Sequence, residues 1–188
     1  MQQTTAERGE TSTVLLPINA AGECGPNLVI FKVTRLSADL QNEAPPKCFL
    51  TVSKNGWINS DLFPRYLRHF LSFIPPVRPI IFIMDSHHSH MSAEAIQFSE
   101  ENGICFVTFP SHTTHLLQPL EVGIFRPIKR SWRSKVQGHL KTKGSKPTRH
   151  DFLPMLKEVL LEIMTPLKIV LAFSKCSIQS LNRNAIPD

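Results

Sequence analysis

The chain has 188 residues, 41% of them hydrophobic and 19% charged, which suits a globular domain or part of one and excludes a disordered chain, a coiled coil or a collagen-like fibre. No apolar run reaches the roughly 18 residues of a membrane span, and the first thirty residues lack the basic-then-apolar order of a signal peptide. The formal net charge is +6 and is unevenly placed.

In chain order, Thr11–Asn19 is predicted as a short strand and Asn27–Val33 as a second, antiparallel across the Gly22–Gly25 turn. Residues 36–56 are polar, broken by Pro45-Pro46, and read mostly as a loop or hairpin arm, with one apolar run from Cys48 to Val52. From Ser60, a predicted cap, Leu62, Phe63, Tyr66, Leu67, Phe70, Leu71 and Ile74 follow helical spacing until Pro75-Pro76. Pro79–Met84 is a continuous apolar run, the pattern of a strand buried on both faces, and it ends at Asp85. Ser92 caps a predicted helix to Glu101, Asn102-Gly103 closes it, and Ile104–Phe109 is a further strand. This is a βαβ unit whose strands should be parallel neighbours. Helices are then predicted from Pro119 to about Leu140, from Arg149 to Met164, and from Leu167 to Phe173. Strands, then βαβ, then helices give an α/β fold with a mixed sheet.

Four scattered cysteines without a CxxC pair read as reduced thiols of a cytosolic or nuclear protein. Between Glu121 and Asp151 there is no acid, while Arg126, Lys129, Arg130, Arg133, Lys135, Lys141, Lys143, Lys146 and Arg149 supply nine of the 21 Lys plus Arg. Remove those nine and +6 becomes about −3. A polyanion partner fits such a segment; a solvated helix face is the plainer alternative. Within it, Trp132 reads better as a packing residue than as a base-stacking one, and Trp57 as a loop anchor.

Asp85 stands at the carboxyl end of a strand, where open α/β sheets bind ligands and where a hard cation finds a fixed carboxylate. A lone Asp there is more often a turn residue. Here it opens Asp85-Ser-His-His-Ser-His90, and the next strand leads into Pro110-Ser-His-Thr-Thr-His115 and then Gln118-Pro-Leu-Glu121. His87, His88, His90, His112, His115 and Gln118 are thus candidate cleft-lining residues. Glu121 falls in a first helical turn, where the helix dipole favours its ionised form. His112-x-x-His115 with a histidine of 87–90 also has a spacing that zinc accepts, without a paired Cys motif.

The segments Ile80–His90 and Phe109–Phe125 with Lys129, together with Glu7–Val14, Ile18–Gly22, Asn55-Gly-Trp57 with Phe63, and Ala172-Phe173 with Asn182–Pro187, closely resemble the DDE superfamily endonuclease domain of pogo/Tigger/jerky-type transposases. The resemblance covers nearly the whole chain. It implies a ribonuclease-H-like fold with flanking helices, a partial domain over 1–140, and a basic linker with a helical extension of that domain over 141–188. It also implies Mg²⁺ or Mn²⁺ as cofactor, DNA as partner, a homodimer, no membrane association and a nuclear location. Asp85 matches the second metal-holding and catalytic carboxylate and Glu121 the third, where this branch usually has Asp. Arg126, Lys129, Arg130, Arg133 and Lys135 become the candidate nucleic-acid-binding residues. Other departures are Gly25-Pro-Asn27 for the usual Pro-Pro, and Cys176 for Gly. The family's first strand and its Asp lie upstream of the part matching Glu7–Val14, so both are expected to be missing, as are helix-turn-helix modules. The expectation is nucleic-acid binding with impaired cleavage, or else a domesticated DNA- or protein-interaction module without chemistry.

Overall fold

The computed structural model describes residues 2–3, 12–85 and 92–179. The described chain divides into two compact units. The first holds residues up to Pro17, Gly25–Leu36 and Pro46–Ser111; the second holds Ile18–Cys24, Ser37–Pro45 and His112 onward. The boundary expected at 140 falls inside a helix that continues to Lys143.

In the first unit, β1 (Gln2–Gln3), β2 (Ser12–Leu15), β3 (Leu28–Phe31) and β4 (Phe49–Val52) form one sheet in that order. The first pairs are antiparallel, with Ser12 opposite Phe31 and Leu15 opposite Leu28, and β3–β4 is parallel, with Leu28 opposite Phe49. This sheet is therefore mixed, but the strands of the βαβ unit do not join it as expected and form a second, two-stranded sheet. Lying between two partners, β3 buries all four of its side chains, which explains its unbroken apolar sequence.

Helix α2 (Leu62–Leu71) covers this unit's core. The predicted cap at Ser60 is not the one used: the Asn59 side chain accepts the N–H groups of Asp61 and Leu62 at 3.2 and 2.9 Å. The inner face of α2 packs Phe63, Tyr66, Leu67 and Phe70 with Leu28 and Ile30 of β3. Fully burying such a side chain contributes roughly 1.5–3 kcal/mol. Tyr66 keeps its hydroxyl satisfied by donating to the Pro26 carbonyl at 2.8 Å.

Strands β5 (Ile80–Met84) and β6 (Ile104–Thr108) are joined by α3 (Ala93–Glu101), whose N-cap is Ser92, and they pair in parallel. The βαβ unit is as the sequence predicts. Met84 and Ala95 join the core on α2, and Phe82 meets Phe70 and Phe106 edge-on at 5.4 and 6.1 Å. Burial on both faces does not hold. The opposite face of β5–β6 stays open, with Ile81 64% and Val107 45% exposed and Cys105 also exposed.

The second unit contains α1 (Ala38–Asn42), α4 (Thr114–Leu117), a π-helical turn (Leu120–Ile124), α5 (Phe125–Lys143), α6 (Arg149–Ile163) and α7 (Pro166–Lys175). Gly144 ends α5 in the left-handed conformation (φ 67°), which a glycine adopts without steric cost. A capping box then starts α6, Thr148 and Asp151 each satisfying the other's backbone N–H. Trp132 is buried and meets Phe152 of α6 edge-on at 5.1 Å, so it packs between helices.

Candidate functional site

Asp85 lies half-buried, directly after the last residue of β5 in the first unit. His87, His88 and His90 lie outside the described residues. In the second unit His112 and His115 are exposed, and His112 takes a left-handed backbone (φ 62°). Gln118 is half-buried and caps α4 at its C-terminus. Among the described residues no three His, Cys, Asp or Glu side chains converge as a metal set.

Glu121 occupies the π-helical turn that precedes α5. π-Turns recur at functional positions because the widened turn shifts a side chain off the regular helical path. Gly123, in the same turn, sits against Ala172 of α7, while Ile124 and Ile169 are fully buried. That packing fixes the turn from behind and leaves Glu121 half-exposed.

On α5 the positions Arg126, Arg130, Arg133, Gln137 and Lys141 are all exposed and recur at three- and four-residue intervals, which places them on one face. The opposite face, Ile128 and Trp132, is buried. Glu121, Arg126, Lys129, Arg130, Arg133, Ser134 and Gln137 line one open groove of about 590 Å³. One carboxylate therefore shares a groove with four cations. Ser134 and Gln137, not among the residues expected from sequence, follow from helical spacing counted from Arg130.

The acids of α6 sort the basic residues. Lys135 reaches Glu158 at 2.6 Å and Lys143 reaches Asp151 at 2.9 Å, while Ser131 donates its hydroxyl to Glu162 at 2.8 Å. These rungs run antiparallel down the α5–α6 hairpin. Asp151 also accepts the Thr148 hydroxyl at 2.6 Å and the Thr148 N–H at 2.9 Å. The Thr148 hydroxyl, with the Lys143 ammonium, holds the Asp151 carboxyl well below the usual carboxylate range. By contrast, Arg126, Lys129, Arg130, Arg133 and Lys141 have no carboxylate within ion-pair distance among the described residues. Their charge is available to a polyanion; that of Lys135 and Lys143 is offset internally.

A family profile described as DDE superfamily endonuclease matches residues 9–180. The chain is 31% identical over 172 residues, 89% of its length, to a Cochliobolus lunatus protein named MFS-type transporter clz9, of which it covers 19%. It is 30% identical over 97 residues, 44% of its length, to the human Tigger transposable element-derived protein 7, of which it covers 17%. The chain thus spans about a fifth of the length of these curated relatives. No solved structure matches it. Among the described residues no helix is long and apolar enough to cross a membrane. With the profile match running from residue 9 to residue 180, the chain belongs to the DDE superfamily of endonucleases.

Proposed function

We propose that this chain is the DNA-gripping part of a metal-dependent, transposase-derived endonuclease working in the nucleus, built on a ribonuclease-H-like fold and acting as a dimer. The observation that carries the reading is the groove in which Glu121 lies beside Arg126, Lys129, Arg130 and Arg133. Guanidinium groups bind phosphate oxygens in a bidentate fashion, so a stripe of arginines with no carboxylate partner among the described residues suits a phosphodiester backbone of any sequence. The mixed β1–β4 sheet followed by the parallel β5–α3–β6 unit supports the fold assignment.

DDE endonucleases are generally metal-dependent. Asp85 in the first unit and Glu121 in the second each offer the hard oxygen donors that Mg²⁺ and Mn²⁺ take, so the donor chemistry of each fits, and neither carboxylate by itself is a ligand set. Such ions, when bound, supply an activated water and charge neutralisation at the phosphate. The rest is done by the chain: Arg126, Arg130 and Arg133 hold and orient the strand, and Glu121 keeps a negative site within that positive groove. Since the family pattern has three carboxylates and this segment matches two, the 188-residue polypeptide should bind DNA without cutting it. That behaviour would equally serve a domesticated binding module.

The test pairs fluorescence anisotropy on a labelled duplex with plasmid nicking in Mg²⁺ or Mn²⁺. Weak, salt-sensitive binding without nicking is expected. The combined Arg126→Gln, Arg130→Gln, Arg133→Gln variant should bind less and flatten the salt slope by up to about 0.9 per lost contact. Binding indifferent to salt defeats the phosphate reading. Nicking that Asp85→Ala abolishes shows instead that two matched carboxylates suffice.

A further inference from the structure

Four groups stand in a row along one side of α2, all within the first unit. The Arg65 guanidinium lies over the Phe49 ring, 5.8 Å from its centroid. Phe49 meets His69 at 5.1 Å, and His69 meets Phe73 at 4.8 Å. Arg65, His69 and Phe73 recur every four residues and so share a face, and β4 contributes Phe49 between the first two. The His69 Nε2–H donates to the Lys47 carbonyl at 2.9 Å, which fixes the ring's orientation and tautomer.

The row ends in the open. Phe73, just past the C-cap Ser72, is 42% exposed, while core packing on this helix is done by Phe63, Tyr66, Leu67 and Phe70 on its other side. Arg65 and Lys47 are also exposed, and neither has a carboxylate within ion-pair distance among the described residues. An accessible ring backed by two others, in a row that ends about 12 Å along the helix at the Arg65 guanidinium and has Lys47 at its His69 rung, matches a short run of unpaired strand: a flat base and, farther along, phosphates. The α5 stripe lacks this combination, because Trp132 is buried against Phe152.

We propose that the exposed end of this ladder is a stacking platform for single-stranded nucleic acid, Phe73 taking a base and Lys47 and Arg65 phosphates farther along the same strand. The proposal rests on the nucleic-acid reading given above and adds a substrate class to it. The backing rings hold Phe73 in place, so little side-chain freedom is lost on binding. The two cations favour a polyanion over a proline-rich peptide, the other ligand that aromatic grooves accept.

The intact 188-residue chain is titrated with labelled oligothymidylate and, separately, with a duplex of equal length. Phe73→Ala should weaken oligothymidylate binding by about tenfold, from the stacking worth of one base, and leave duplex binding unchanged. Phe73→Trp should retain binding and show quenching by oligothymidylate beyond that of the wild type, a gain of signal that also reports a folded site. Unchanged oligothymidylate affinity in Phe73→Ala, with duplex binding intact, overturns this proposal alone. So does Phe73-dependent capture of a proline-rich peptide with no oligothymidylate binding. A wild type that binds neither nucleic acid overturns the broader reading as well, and the two failures are thereby told apart.

Discussion

Gly123 lies so close to Ala172 that a β-carbon on it would stand 2.6 Å from the Ala172 β-carbon and 3.1 Å from its α-carbon. The π-helical turn that carries Glu121 is therefore seated directly on α7, and only a residue without a side chain permits it. In an unencumbered helical position Gly→Ala would stabilise by up to about 1 kcal/mol. Here the clash is with backbone as well as side chain, so overpacking wins. Gly123→Ala should cost about 1–3 kcal/mol, read as a lower urea midpoint by far-UV circular dichroism. Adding Ala172→Gly should recover part of the loss. An unaltered midpoint in the single variant contradicts the seating.

Lys135 and Arg130 make a matched comparison, being five residues apart on α5 with opposite engagements. Lys135→Gln breaks the pair with Glu158 and should cost less than about 1 kcal/mol, with duplex affinity nearly unchanged. Arg130→Gln should leave stability alone and weaken duplex binding, with a shallower dependence on salt. Equal effects of the two on anisotropy would show that Glu158 does not withhold Lys135 from the ligand.

The Asp151 carboxyl is held below its ordinary range by Thr148 and Lys143. A depressed carboxyl contributes stability above its unfolded value, near pH 4, and loses that contribution as the pH falls towards the folded value. The stability gap between wild type and Asp151→Asn should thus be widest near neutrality and close in acid. Thr148→Ala should cost about 1 kcal/mol at neutral pH through the lost cap. A gap independent of pH would refute the linkage.

The thiols should react in a fixed order. Burial pushes Cys48 up to about 12, against a smaller lowering by the hydrogen bond at Val29, and Cys176 up to about 11; it also raises Cys24. Cys105 is exposed on β6. Because the thiolate is the nucleophile, iodoacetamide near pH 8 should label Cys105 first and Cys48 and Cys176 last, as peptide mass spectrometry would show. Early labelling of Cys176 would mean that α7 opens readily.

What could be read beforehand was whatever is local. The apolar runs around Ser92 and Asn102-Gly103 define β5–α3–β6, and the arginine spacing defines the outer face of α5. Tertiary partners decided the rest. The nine cations look alike in sequence, and Glu158 and Asp151, brought alongside by the hairpin, separate Lys135 and Lys143 from Arg126, Lys129, Arg130, Arg133 and Lys141. The stretch read as loop yields α1 and β4 because β3 offers an edge for parallel pairing and Ser37 caps Ala38–Asn42. The π-turn at Glu121 is set by the contact between Gly123 and Ala172, which lie far apart in the chain.

The uncovered side of β5–β6 has a practical outcome for anyone who heats or titrates this polypeptide. Ile81 and Val107 offer a reporter dye such as ANS a docking surface while the protein is still folded. Fluorescence that normally signals loosened packing will be high from the start, and it will fall or stay level as that surface disperses on unfolding. A dye-based melt would then register no transition in a chain that unfolds cooperatively, and backbone dichroism would register one.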